Sequence, residues 1–200
     1  MKKPLNLQDL KVSNSIEKKM VPDSDLELIE KFQRGEEQAF NQLVLKYQKK
    51  IYDLVYRMIR NNEDTLDLTQ EVFVKAYYNL KDFKRESAFY TWLYRIALNL
   101  SFNYARQKKV RNFVSLFDLG DTLPAKNNPA EDLQQNQITM AIDQAVLTLP
   151  KRQRSVFVLR YYDQMPYKQI SEVLGKTEGS LKASYFQALK KLQKKLKAYR

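Results

Sequence analysis

Apolar residues recur every three or four positions along most of the chain, and strand-like alternation is scarce. Phe40, Leu43, Val44, Tyr47, Ile51, Leu54, Val55 and Met58 make one stripe. Val72, Phe73, Ala76, Tyr77 and Leu80 make a second, and Phe89, Trp92, Leu93, Ile96, Ala97 and Leu100 a third. A helix with such a stripe gains most of its stability by burying it against another helix. The pattern therefore predicts a small bundle with helices over about 25–33, 37–60, 64–80 and 89–108. Gly35 suits a helix C-terminus, Asn61-Asn62 separates the second helix from the third, and Ser87 or a neighbour suits a cap for the fourth.

A second group of elements follows. A helix is predicted near 132–148, and Pro150 sits where the next begins, because a missing N–H costs little in a first turn. That helix runs through Val156, Phe157, Leu159 and Arg160. Pro166 opens another, with Ile170, Val173 and Leu174 as its apolar face, and Gly175 ends it in the left-handed conformation. Thr177 then suits the N-cap of a last helix carrying Leu181, Tyr185, Ala188, Leu189, Leu192 and Leu196. Between the groups lie Gly120, Pro124, Asn127, Asn128 and Pro129 in a polar stretch. The expected fold is all-α: two small helical domains, 23–111 and 132–200, joined by a flexible linker over 112–131. Residues 1–22 read as a flexible polar extension, and there is no internal repeat.

Composition narrows the chemistry. The 200 residues include no cysteine and no histidine. Disulfides, thiol chemistry, a Ser-His-Asp triad and an HExxH zinc site are excluded, and no cofactor is expected. No stretch is apolar enough to predict a membrane span. The opening MKKPLNLQDLKVSN lacks the apolar core of a secretory signal, so a cytoplasmic location is expected. Lys plus Arg number 35 against 23 acids, a net +12, which favours a polyanionic partner. Residues 150–200 hold thirteen bases and three acids, whereas 113–149 hold one base and five acids. The excess is thus concentrated at the C-terminal end.

Three segments carry specific chemistry. YKQISEVLGKTEGSLKASYFQALKKL, residues 167–192, has the helix, tight turn and helix spacing of a DNA-binding helix-turn-helix. The alternative is a plain αα-hairpin with a solvated lysine face. Its second helix offers Glu178, Ser180, Lys182, Ala183, Ser184, Phe186 and Gln187 away from the apolar stripe. Gln, Ser and Lys side chains can all meet base edges or phosphates. KDFKRESAFYTWLYRIALNLSFNYARQKK, residues 81–109, interleaves rings with Lys and Arg, a pattern suited to single-stranded nucleic acid. Phe89, Trp92, Leu93 and Ile96 also fit a plain core stripe, whereas Tyr90, Tyr94 and Asn99 lie off it and are expected to be exposed. EDTLDLTQEVFVKAYYNL, residues 63–80, gathers Asp64, Asp67, Gln70 and Glu71 near one end. Acids there favour the helix dipole, and they equally offer a docking face for a basic protein surface.

Together these segments resemble the bacterial sigma factors of the extracytoplasmic-function (ECF) group of the sigma-70 family. The similar stretches are EEQAFNQLVLKYQKKIYDLVYRMIRN (36–61), EDTLDLTQEVFVKAYYNLKDFK (63–84), SAFYTWLYRIALN (87–99) and 149–192, in the family's order. The resemblance implies that the first domain is sigma region 2 and the second sigma region 4. It implies that Asp64, Asp67, Leu68, Gln70, Glu71 and Phe73 dock on the clamp helices of core RNA polymerase. Phe83, Lys84, Ser87, Phe89, Tyr90, Trp92, Arg95 and Asn99 would hold the melted minus-10 promoter element, with a flipped base in the loop from Phe83 to Phe89. Thr177, Ser180, Lys182, Ser184, Phe186 and Gln187 would read the minus-35 element as duplex. Residues 112–131 would thread toward the RNA exit path, and an anti-sigma protein is an implied partner. Many family members carry Arg where this chain has Ser184 and Gln187, which shifts the expected duplex contacts to Lys182, Phe186 and the lysine-rich tail. A stand-alone helix-turn-helix regulator would leave the acidic helix and the aromatic segment without a role. A protein-only adaptor would leave the basic second domain unexplained, and an enzyme has no visible catalytic set.

Overall fold

A computed structural model describes residues 24–118 and 141–197, without the side chains of 109 and 111–118. The expected extension over 1–22, the linker from 119 to 131 and the start of the helix near 132 lie outside the described residues.

The first domain is built from α1 (Asp25–Gln33), α2 (Glu37–Ile59), α3 (Asn62–Leu80) and α4 (Phe89–Asp118). Ser24 starts α1 with a capping box: its hydroxyl accepts from the Glu27 N–H at 3.3 Å, and its own N–H donates to the Glu27 carboxylate at 2.8 Å. The chain turns from α2 to α3 through Arg60, whose φ of 54° is left-handed, and Asn61 caps α3 by accepting from the Asp64 N–H at 3.0 Å. α2 is the central element and packs on α1, α3 and α4. Leu43, Ile51, Leu54 and Val55 on α2 are fully buried with Val72, Leu80, Leu93 and Ala97 from its neighbours.

α4 corrects one expectation. It runs to Asp118, past the expected end at 108, and takes in 112–118 of the expected linker. No Gly or Pro falls between Phe89 and Asp118 to stop it; the first breaker is Gly120.

The second domain comprises helical residues 141–147 (α5), α6 (Lys151–Phe157), α7 (Tyr167–Leu174) and α8 (Glu178–Leu196). Pro150 and Pro166 are the N-caps of α6 and α7. The helix expected to pass smoothly through Arg160 instead widens into a π-helical turn, Val158–Tyr162. There the Asp163 N–H donates to the Val158 carbonyl at 3.3 Å. The extra residue in the turn re-aims the side chains that follow it. Tyr161 is left exposed, while Tyr162 and Asp163 face α2 of the first domain. The two domains touch along two lines, α7 on α4 and the π turn on α2.

Candidate nucleic-acid and polymerase interfaces

α8 is the simplest of the three surfaces. Gly175 closes α7 at φ 61°, a conformation that costs glycine little. Thr177 caps α8 by accepting from the Ser180 N–H at 3.4 Å. Leu181, Ala188 and Leu192 are buried beneath the helix. Thr177, Lys182, Phe186 and Gln187 are exposed, and Ser180 and Ser184 are half-buried. The Ser180 and Ser184 hydroxyls donate to the Thr177 and Ser180 carbonyls, each at 2.8 Å, which leaves their oxygens as acceptors. Lys182 lies over the Tyr167 ring at 5.6 Å, and Lys190 over Phe186 at 5.1 Å. The arrangement presents a cationic, partly aromatic helix face to solvent.

The surface on α4 and the loop before it is more constrained. Phe83, Phe89 and Trp92 form one aromatic cluster, with Phe83 to Trp92 at 5.1 Å, and Phe89 also meets Tyr47 at 5.5 Å. Phe89 is only 3% exposed, so it supports the loop from beneath. Phe83, Ser87, Tyr90 and Trp92 are half-buried, whereas Lys84, Arg95 and Asn99 are exposed. Tyr94, expected to be exposed, is buried at 6%. It lies between the domains, lining a junction cavity of about 570 Å³ with Tyr47, Asp53 and Arg57 of α2 and Tyr162 and Asp163 of the second domain. Burial pushes its hydroxyl pKa well above the ordinary tyrosine value.

The loop's support comes from residues that sequence reasoning missed. The Gln33 side-chain amide at the end of α1 donates to the carbonyls of Leu80, Lys81 and Phe83, at 3.1, 3.3 and 3.4 Å. Arg85 holds a left-handed φ of 60° and pairs with Glu30 at 2.8 Å. No local sequence signal links α1 to a loop some fifty residues later.

On α3, Leu68 and Phe73 are buried in the bundle, while Asp67, Gln70 and Glu71 are exposed. Asp64 is engaged within the domain: the Tyr104 hydroxyl donates to it and Lys108 lies 3.7 Å away. Leu66, Val74 and Tyr78 are large apolar residues left exposed on the same helix. They lie on the same helix as the exposed Asp67, Gln70 and Glu71, and exposed apolar side chains beside charge suit a protein-docking face. The 3.6-residue period shows them as off-stripe apolar positions.

The two domains are joined by cationic side chains from both. Arg57 pairs with Asp163 at 2.7 Å and lies 4.6 Å from the Tyr162 ring centre. Arg60 pairs with Asp143, which also accepts from the Tyr162 hydroxyl at 3.0 Å. Arg154 donates to the Met58 carbonyl at 3.2 Å. Arg95 donates to the carbonyls of Glu172 at 2.6 Å and Val173 at 3.3 Å, at the C-terminal end of α7. Burial raises the Asp163 pKa to about 6 against the opposing pull of Arg57, and burial raises that of Tyr162 to about 12. Among the described residues no cluster of His, Cys, Asp or Glu could hold a metal ion, and no helix is long and apolar enough to cross a membrane.

The fold and these surfaces define a two-domain helical protein that presents a helix-turn-helix beside an aromatic, basic helix and an acidic helix face with exposed apolar residues. Residues 43–111 match the family model for sigma-70 region 2, and residues 139–192 match that for sigma-70, region 4. The chain is 32% identical over 185 residues to the RNA polymerase sigma-H factor of Pseudomonas aeruginosa, covering 88% of this chain and 96% of the relative. It is 32% identical over 181 residues to the ECF RNA polymerase sigma-E factor of Escherichia coli K12, covering 86% and 94%. Two solved structures share the fold. CnrH in complex with the cytosolic domain of CnrY has a TM-score of 0.64 at 23% identity, covering 88% of this chain and 99% of that one. RpoE in complex with the anti-sigma factor NepR from Bartonella quintana has 0.59 at 21%, covering 80% and 98%. The chain belongs to the sigma-70 family of RNA polymerase sigma factors, in its ECF group. It is a promoter-recognition and transcription-initiation factor that works with core RNA polymerase and promoter DNA.

Proposed function

We propose how the work of initiation is divided over this chain. The observation that carries the division is the contrast in exposed chemistry: an acidic-apolar face on α3, a ring-and-cation face on α4 and a cationic face on α8. The first domain, residues 23–111, would dock on core polymerase through Asp67, Gln70 and Glu71, with Leu68 and Phe73 holding α3 in place and Asp64 fixing its start. The loop from Phe83 and the α4 residues Tyr90, Trp92, Arg95 and Asn99 would receive the melted minus-10 strand, with Lys84 and Ser87 on the loop and Phe89 beneath it. Unpairing is easier when an extruded base enters a pocket and the freed strand rests on rings and positive charge. The second domain, residues 132–200, would read the minus-35 duplex through Thr177, Ser180, Lys182, Ser184, Phe186 and Gln187. Two modest DNA contacts on one tethered chain reinforce each other through effective concentration.

In this reading the chain changes no covalent bond. The polymerase supplies the chemistry, and the complex forms in the cytoplasm. An anti-sigma protein is a fitting regulator, since RpoE, of the same fold, was solved with the anti-sigma factor NepR. The test is run-off transcription with bacterial core polymerase and a pool of promoter fragments. Defined starts that need both components are expected, and sequencing them reads out both promoter elements. Tight duplex binding with no core binding and no starts would point instead to a stand-alone regulator.

A further inference from the structure

We propose that Gln33 and Glu30 are positioning residues for the base-holding loop, which rests on the minus-10 assignment above. Gln33 donates to three carbonyls where α3 ends and the loop begins, those of Leu80, Lys81 and Phe83. A lone amide cannot satisfy three acceptors unless they converge, so the contact selects one loop conformation. Glu30 pairs with Arg85 at 2.8 Å, and Gln33 accepts from Arg85 at 3.5 Å. Arg85 sits at φ 60°, a conformation a non-glycine residue holds only when its surroundings impose it. Neither α1 residue is expected to reach DNA. Their effect would be on which base the loop accepts and how tightly.

The test compares full-length Gln33→Ala, Glu30→Arg and the charge swap Glu30→Arg with Arg85→Glu. The readouts are affinity for a single-stranded DNA pool randomised at its centre, the base preference selected from that pool, and affinity for core polymerase. Gln33→Ala should weaken strand binding about fivefold, as loss of shared hydrogen bonds implies, and should broaden the selected bases, with core affinity unchanged. The swap should restore much of what Glu30→Arg loses. Unchanged strand affinity and base preference in Gln33→Ala, while Phe83→Ala and Lys84→Ala weaken binding, would overturn the brace alone. No effect from Phe83→Ala or Lys84→Ala either would overturn the minus-10 assignment, and the brace with it.

A separate observation carries a second inference: the geometry points to a closed state in which the end of α7 occupies the strand-binding face of α4. Arg95 donates to the Glu172 and Val173 carbonyls, at a helix C-terminus where the backbone is partially negative. The Tyr90 hydroxyl donates to the Glu172 carboxylate at 3.5 Å. Further along α4, Lys151 of α6 lies over the Phe102 ring at 4.0 Å, a second contact between the domains on this side. Two carbonyls and a carboxylate of α7 thus engage Arg95 and Tyr90, two of the side chains proposed to receive the strand. The Arg57–Asp163 and Arg60–Asp143 pairs hold the arrangement from the other side. Lys182, Phe186 and Gln187 stay exposed throughout, so closure masks only one of the two DNA surfaces.

The absence of native cysteine allows clean double labelling at Gln42→Cys and Lys194→Cys for energy transfer. Arg57→Glu should lower transfer and raise affinity for the same single-stranded pool about fivefold or more, since apparent affinity scales with the competent fraction. The swap Arg57→Glu with Asp163→Arg should restore transfer and weaken binding again. Equal transfer in the parent and Arg57→Glu would overturn the closed state. Lower transfer without tighter binding would overturn its inhibitory effect. In that case Asn99→Ala separates the causes: if it still weakens binding, only the masking fails, and if it does not, the assignment of α4 fails.

Discussion

In α8 most side chains assigned to duplex DNA stand in solvent, with Lys182 over the Tyr167 ring of α7, whereas in α4 the side chains assigned to the melted strand are already in use. Lys182, Phe186 and Gln187 are exposed. Arg95 meets two carbonyls of α7, Tyr90 meets Glu172, and Trp92 packs on Phe83 and Phe89. A duplex reader needs only a rigid helix placed in a groove, because the DNA supplies the regular shape. A single-strand reader must supply that shape itself, from rings, a pinned loop and a supported backbone. The same contacts that build the second kind of surface also make it easy to cover.

The largest test of this contrast removes the platform beneath α8. Leu181 is fully buried, and Leu181→Ala should cost about 2–5 kcal/mol of stability from lost burial and the cavity left behind. Chemical denaturation of the full chain would show it, with minus-35 duplex binding lost and core polymerase binding through the first domain retained. A next, smaller effect comes from the exposed face itself. Lys182→Ala should weaken minus-35 binding about tenfold and lower its salt dependence, while leaving core binding intact. Equal loss of both would break the proposed division of labour. Thr177→Ala removes the cap of α8 without touching its buried face and should cost about 1 kcal/mol in thermal stability, with a fold weaker duplex binding smaller than that of Lys182→Ala.

The sequence pattern carried the helices well where one stripe met one core. α1 lies where periodicity put it, and α2 and α3 differ only at their ends, because Ser24, Asn61 and the left-handed Arg60 are local punctuation. Pro150, Pro166, Gly175 and Thr177 did the same for the second domain. What periodicity could not carry was anything set by a partner far along the chain. The π turn re-aims Tyr162 and Asp163 without any Gly or Pro to announce it. Tyr94 lies off the first domain's stripe and is buried all the same, at the junction where α2 meets the second domain. Gln33 looks like an ordinary helix-end glutamine until the loop it holds is seen. The junction is made largely of arginines meeting carbonyls and carboxylates, and no hydrophobic pattern encodes those contacts.

The smallest expected effect probes that junction through pH. Asp163 has its pKa raised from 3.8 to about 6, by burial first and in spite of Arg57. A carboxyl raised on packing binds its proton more tightly in the packed state than in the unfolded chain. The packed state therefore gains stability as pH falls through about 6, and the gain levels off below the unfolded value of 3.8. Between about pH 7.5 and about pH 5.5 the gain from this one group is under about 1 kcal/mol, by linkage. Thermal unfolding across that range should show it as a rising transition temperature in the parent chain. Asp163→Asn should flatten that slope while also losing the ion pair to Arg57, so the slope rather than the absolute temperature is the diagnostic. α8 provides the internal control, because its exposed Lys182, Phe186 and Gln187 do not line the junction cavity. A junction set by the packing of the π turn on α2 predicts that Lys182→Ala leaves the pH slope unchanged, and a slope altered equally by both substitutions would show that the pH response does not arise at Asp163.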